Sequence, residues 1–275
     1  MIETKKSVNE KVDRQPDDHS KASVFITNHI IEIVVIEKRS KYLHNFKKCG
    51  KYTYVDMRTG EVKEYSDSNS INRNRSFTNL RRYINANFIG KPNEIFLTLT
   101  YTDPQFDRSQ VSADFKLFWK KFKYRYKNCE YISIFEPHSN GNWHIHILIK
   151  DLQKKYLFID LDECRRIWNH GFIKIIKLEN NDNIGAYFTP GNNTNSNSSD
   201  SKNDRIKFYP RNSKCFTHSK NIKKPYCKIM SYEQAENMVK DSKEVFSENI
   251  GIYDGDEEVN TIFIVSITVK GENKL

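Results

Sequence analysis

An α+β fold, an antiparallel sheet carrying helices on one face, is predicted by three features of residues 91–190. Four short runs read as strands: residues 94–101 (EIFLTLTY), 131–136 (YISIFE), 143–149 (WHIHILI) and 172–178 (FIKIIKL), each β-branched, aromatic or alternating in polarity. Runs of helical period separate the first from the second and the third from the fourth. Between the second and third, Asn140-Gly141-Asn142 reads as the tight turn of an antiparallel hairpin. The resulting order is β-α-β-β-α-β, the ferredoxin-like or split-βαβ arrangement, in which the second face of the sheet is expected to stay free for a ligand.

Taken in order, residues 1–45 form an N-terminal extension expected to be partly disordered, since Lys, Asp, Glu, Ser and Gln dominate the first 20. Residues 26–36 (ITNHIIEIVVI) fit either a strand or a short buried helix. A domain over residues 46–190, with its core at 91–190, begins with a hairpin at 51–64 (KYTYVDMRTGEVKE) turning at Thr59-Gly60. Residues 76–88 place Leu80, Tyr83, Ile84 and Phe88 at helical spacing, with Arg81 and Arg82 on the side that faces solvent or a polyanion. After the first core strand, Phe115, Phe118, Trp119, Phe122 and Tyr126 make the apolar stripe of a helix at 112–127, with Ser112 as its cap. Asp160 and Glu163 cap a short helix reaching Trp168, and Gly171 follows its end. Asn181-Asp182-Asn183 then caps a helix at 184–188 that stops at Pro190. Residues 191–204 (GNNTNSNSSDSKND) read as a flexible loop, and 205–275 as a C-terminal segment with an acidic tail.

Charge is unevenly distributed. The chain carries +10, yet its last 35 residues hold eight acids against three lysines, −5, which leaves +15 for residues 1–240. A basic body with 15 Tyr and 17 Phe points to a nucleic-acid partner whose phosphates meet Lys and Arg and whose unpaired bases stack on rings. No apolar run has the length of a signal segment or a membrane span, so a soluble, cytoplasmic protein is expected, with no membrane partner. Five widely spaced cysteines, none in CxxC, favour reduced thiols over a disulfide frame or zinc knuckle. The spacing of Cys215, His218 and Cys227 matches no usual ligand pattern.

The chemistry centres on His144 and His146. Two residues apart on a strand, they project from one face, while Ile145, Ile147 and Ile149 point into a core on the other. The preceding strand delivers Glu136, with His138 close by as the other candidate oxygen or nitrogen ligand. Two neutral imidazoles and one further donor leave open positions on a divalent ion, Mg2+ or Mn2+, which polarises a phosphoryl oxygen. A tyrosine hydroxyl on a helix after the sheet can then attack the phosphorus, expel a 3′-hydroxyl and keep the strand as a 5′-phosphotyrosine, ready to rejoin it.

This set resembles the replication initiators of rolling-circle plasmids from Gram-positive bacteria, members of the HUH endonuclease superfamily. The resemblance rests on residues 96–101 (FLTLTY), 141–148 (GNWHIHIL), 167–172 (IWNHGF) and 183–187 (NIGAY), with 205–210 (RIKFYP) and 219–225 (SKNIKKP) similar to a downstream block. It implies an HUH endonuclease core, a site-specific single-strand nick at an origin, and Tyr187 as the nucleophile. It also implies Arg205, Lys207, Lys223 and Lys224 as contacts to DNA beside Arg81 and Arg82, and a host helicase and replication machinery as partners. The sequence departs from the family after the tyrosine, where Phe188-Thr189-Pro190-Gly191 stands in place of the usual lysine. A relaxase or transposase of the same chemistry, an origin-binding protein that has lost nicking, and an RNA-binding ferredoxin-like sheet are the rival readings. No aromatic pair of RNP type supports the last.

Overall fold

The computed structural model describes residues 8–38, 46–50, 53–57, 59–64, 69–178, 184–189, 204–210, 213–254 and 257–268. Along the chain run β1 (Val8–Lys11), β2 (Lys21–Ile26), β3 (Ile30–Lys38), β4 (Phe46–Lys48), β5 (Thr53–Asp56), β6 (Val62–Glu64) and α1 (Asn69–Asn87). Then come β7 (Glu94–Thr100), α2 (Arg108–Arg125), β8 (Cys129–Pro137), β9 (Trp143–Asp151), α3 (Leu161–Trp168), β10 (Ile173–Lys177) and α4 (Ile184–Phe188). A 3-10 turn at Asp204–Phe208 leads to β11 (Phe216–His218), β12 (Tyr226–Ser231), α5 (Tyr232–Val239), β13 (Lys243–Asp254) and β14 (Glu257–Thr268). The chain divides into two units, one of residues 69–224 and one of 1–68 with 225–275, so the expected boundaries at 45/46 and 204/205 differ from the observed ones.

In the unit of residues 69–224 the sheet order is β10-β7-β9-β8-β11, every neighbouring pair antiparallel. From β7 to β10 the elements follow the expected β-α-β-β-α-β succession, and the strand at the centre is the histidine strand β9. One sheet face, with Leu97, Leu99, Ile145 and Ile147 fully buried, is covered by the aromatic stripe of α2, where Phe115 meets Tyr131 and Phe135 edge-on. Removing each such ring from water contributes about 1.5–3 kcal/mol. Trp168 of α3 joins the same layer against Phe118 and donates its indole N–H to the carbonyl of Thr100. At the end of α3, Asn169 takes the left-handed cap conformation, and Gly171 follows at φ 155°. A Cβ on Gly171 would lie 2.4 Å from the Thr100 carbonyl oxygen, so glycine lets β10 dock on β7.

Two expectations need correction here. The cap of α2 is Asp107, whose side chain accepts from the Ser109 N–H, and Ser112 instead sits inside the helix hydrogen-bonded to Arg108. The first turn is polar except for Val111, so the apolar period becomes visible only one turn late. The second sheet face is also not left free. Phe188 of α4 packs on Phe96, α4 lies along α1, and Phe77 of α1 lines a small cleft with Ile134, Glu136 and Arg205. Helices therefore flank both faces, because the apolar stripe Phe77, Leu80, Ile84 and Phe88 of α1 needs a surface to bury against.

The other unit contains a sheet of order β1-β13-β14-β3-β2-β12, antiparallel throughout, and a small sheet β4-β5-β6. Its core joins Ala22, Val24, Ile31, Ile33, Val35, Phe263 and Ile267 with Tyr232, Ala235 and Val239 of α5, a helix opened by a Ser231/Gln234 capping box. The open choice at residues 26–36 is settled as strand, since Ile30–Lys38 is β3. The expected disorder of the first 20 residues does not hold for Val8–Lys11, which pairs with Ile250–Tyr253 through backbone groups that its polar side chains do not reveal. Residues 225–275 are likewise not a separate segment, because β12 and β14 pair with β2 and β3. The hairpin at 51–64 is present as β5-β6, with Gly60 at φ 72°. Residues 191–203, the cap at 181–183 and Pro190 lie outside the described residues.

Candidate metal centre and tyrosine helix

Three strands bring the site together. Across the sheet Thr98 pairs with His146, Thr100 with His144, and Glu136 with His144, so all five side chains rise from the same face. The turn between β8 and β9 is closed by the Gly141 N–H bonding to the His138 carbonyl and the His138 N–H bonding to that of Asn142. Gly141 takes φ +86°, and a Cβ there would press within 3.1 Å of the Phe208 ring. The side chain of Asn142 also accepts from the Gln105 N–H, which ties the turn to the loop after β7.

The donor set has the separations a small ion requires. His144 Nε2 lies 2.9 Å from His146 Nε2, and Glu136 Oε2 lies 3.1 Å from His146 Nε2 and 3.7 Å from His144 Nε2. Ligand atoms about 2.1 Å from one ion stand about 3.0 Å apart at right angles and about 3.4 Å apart at tetrahedral angles. Glu136, His144 and His146 therefore fit a single divalent ion from one side, with further positions open to substrate. Among the described residues these three form the metal-capable group. His138, the alternative donor, instead stacks its ring on His144 at 4.1 Å and 28°.

Electrostatics favour ligand chemistry. His144 is only 6% exposed, and burial holds its pKa below the usual imidazole value, which leaves a neutral ring with a lone pair to give near pH 7. Thr98 Oγ1 stands 3.1 Å from His146 Nδ1. With the Nδ1 proton donated to that hydroxyl, Nε2 is the free nitrogen and it faces the cluster. The Glu136 carboxylate would be costly to bury alone; its other oxygen accepts from Arg205 Nη1 at 3.0 Å. Thr98 was legible as a polar residue in the apolar run FLTLT, whereas Arg205, 69 positions from Glu136 and expected as a DNA contact, gave no local sign of this role.

The short helix α4 carries Tyr187. Gly185 donates its N–H to the Asn85 side chain at 2.8 Å, and a Cβ added there would meet the Arg81 carbonyl oxygen at 2.6 Å. On the next turn Phe188 packs against Phe96 and reaches the His146 ring, with centroids 6.4 Å apart. Tyr187, between these anchors, is 70% exposed. Replacing Gly185 with Ala is expected to cost about 1–3 kcal/mol, as for other overpacked sites. Urea denaturation measures this, and an unchanged midpoint would show that α4 is not anchored through this contact.

The remaining cations expected to meet DNA are dispersed. Arg81 and Arg82 are partly exposed on α1, Lys207 is exposed beside the Phe208 ring, and Lys223 and Lys224 are exposed after Ile222. Lys223 is positioned by its backbone, both polar groups of which bond to Asn87. Of the two other tyrosines considered as nucleophiles, Tyr209 is 5% exposed and donates its hydroxyl to the Phe135 carbonyl at 2.7 Å, while Tyr226 is exposed on β12 in the other unit. Cys215 and His218 belong to the unit of residues 69–224 and Cys227 to the other. The sequence motif Ile167–Phe172 holds no part of the metal centre: it caps α3 and turns His170 toward Asp114, a buried carboxylate that accepts from Tyr101.

No helix among the described residues is long and apolar enough to cross a membrane. No curated protein and no solved structure is significantly similar to the chain. Residues 94–190, from the start of β7 to just past the tyrosine helix, match the family described as Replication-associated protein ORF2, and this match supports a replication-initiator role.

Proposed function

We propose that the unit of residues 69–224 is an HUH-type endonuclease core that nicks and rejoins single-stranded DNA at the origin of a plasmid or related mobile element, and so starts rolling-circle replication. The observation that carries this reading is the convergence of Glu136, His144 and His146 at ion-binding separations, inside the segment that matches a replication-associated family. The β-α-β-β-α-β succession with the histidine strand at the sheet centre supports the ferredoxin-like core.

The divalent ion, Mg2+ or Mn2+, held by these residues supplies Lewis acidity at a phosphoryl oxygen of the scissile phosphodiester. Thr98 fixes the His146 ring, and the buried neutral His144 completes the donor set. The Tyr187 oxygen forms a bond to phosphorus as the bond to O3′ breaks; the phenol proton leaves and the 3′-oxygen gains one. The strand is held as a 5′-phosphotyrosine, and attack by a 3′-hydroxyl reverses the step without an outside energy source. Paired DNA buries the scissile linkage, so the substrate is single-stranded or extruded, opened with the help of a host helicase in the cytoplasm. Relaxases and transposases use the same step and differ in the DNA they select.

The test is to incubate the full chain with end-labelled single-stranded origin DNA in Mn2+ or in chelator, then denature. A labelled protein adduct that forms only with the ion supports the reading. DNA retention without an adduct, with either ion, would leave an origin-binding protein that does not nick.

A further inference from the structure

Arg205 reaches the metal centre from the far side of the sequence, and its charge changes what the centre can hold. Its guanidinium lies 3.0 Å from Glu136 Oε1, with a side chain only 17% exposed, while Oε2 of the same carboxylate faces both imidazoles. One carboxylate thus serves a monovalent cation on one oxygen and the ion-binding pair on the other. Two neutral imidazoles, one carboxylate and one guanidinium sum to zero. A divalent ion added to this buried set leaves two positive charges uncompensated, and two cations sharing one anion repel. The group that relieves both is a second anion within reach of ion and guanidinium together, and a phosphodiester oxygen pair has that charge and shape.

We propose that Arg205 couples ion binding to phosphodiester binding: in the free protein it holds Glu136 and weakens the divalent ion, and when DNA enters it becomes a ligand of the phosphate. The inference rests on the reading that Glu136, His144 and His146 hold an ion. Coupling of this kind is reciprocal, so DNA strengthens the ion by the factor with which the ion strengthens DNA. The centre then fills only when substrate is present.

Mn2+ affinity, read from the electron paramagnetic resonance of the free ion, tests this on the full chain in a Tyr187→Phe background that prevents turnover, with and without single-stranded dT20. Arg205→Gln is expected to bind Mn2+ about tenfold more tightly than its parent without DNA, and dT20 to tighten Mn2+ about tenfold in the parent alone. Arg205→Lys, which keeps the charge, should restore the weaker affinity. A purely structural role predicts the opposite sign, since a disordered centre loses its ion. Looser Mn2+ binding by Arg205→Gln, or equal tightening by dT20 in both proteins, overturns the proposal while sparing the metal reading. Absence of Mn2+ binding in every protein overturns both.

Discussion

Cleavage of single-stranded DNA by the His144→Ala or His146→Ala protein is expected to fall by about a thousandfold or more, with DNA binding retained within a few-fold. The loss follows from the geometry of the donor set. Each imidazole contributes one of three donors 2.9 to 3.7 Å apart, and removing one leaves a two-donor site that competes poorly with water for an ion. Lewis acidity contributes several kcal/mol to phosphoryl transfer, and each 1.36 kcal/mol is tenfold in rate. Affinity for DNA comes instead from Lys and Arg against phosphates and should weaken steeply with added salt in wild type and variants alike. Cleavage rates at saturating DNA, with fluorescence anisotropy for binding, separate the two. Unchanged nicking by either variant would show that the imidazoles are no more than a polar patch on β9.

The second large effect is at Tyr187. Tyr187→Phe removes one hydroxyl from a ring that is 70% exposed, so stability should stay within about 0.5 kcal/mol, as for most surface substitutions, while the covalent adduct disappears. The comparison with Tyr209→Phe is asymmetric. The Tyr209 hydroxyl is buried and donates to the Phe135 carbonyl, so its removal is expected to cost about 1–3 kcal/mol by leaving that acceptor unsatisfied, yet to leave the adduct. Adduct formation by Tyr187→Phe, and its loss in Tyr226→Phe, would move the nucleophile to the other unit.

Much of the site was legible because its physics is local. A strand alternates faces, so the spacing of His144 and His146 alone placed them side by side above Ile145 and Ile147, and the turn at Asn140–Asn142 placed Glu136 opposite. The FLTLT run carried the same alternation, which sets Thr98 across from His146. What stayed hidden depends on partners far along the chain. An amphipathic α1 announces an apolar stripe but not that it will cover the histidine face, and polar Val8–Lys11 becomes a strand only because β13 offers it backbone groups more than 200 residues later. Arg205 shows the same limit from the opposite direction. Its charge suggested phosphate, while its burial against Glu136 follows from β11 extending the sheet beside β8 and returning the chain to the centre.

The decisive measurement is the site of covalent attachment. Wild-type protein reacted with single-stranded origin DNA and Mn2+, denatured, digested with nuclease and protease, and analysed by mass spectrometry should yield a nucleotide-bearing peptide whose fragmentation puts the 5′-phosphate on the Tyr187 oxygen. A phosphate on any other side chain, or cleaved DNA with an unmodified Tyr187 peptide as its only protein product, contradicts the assignment.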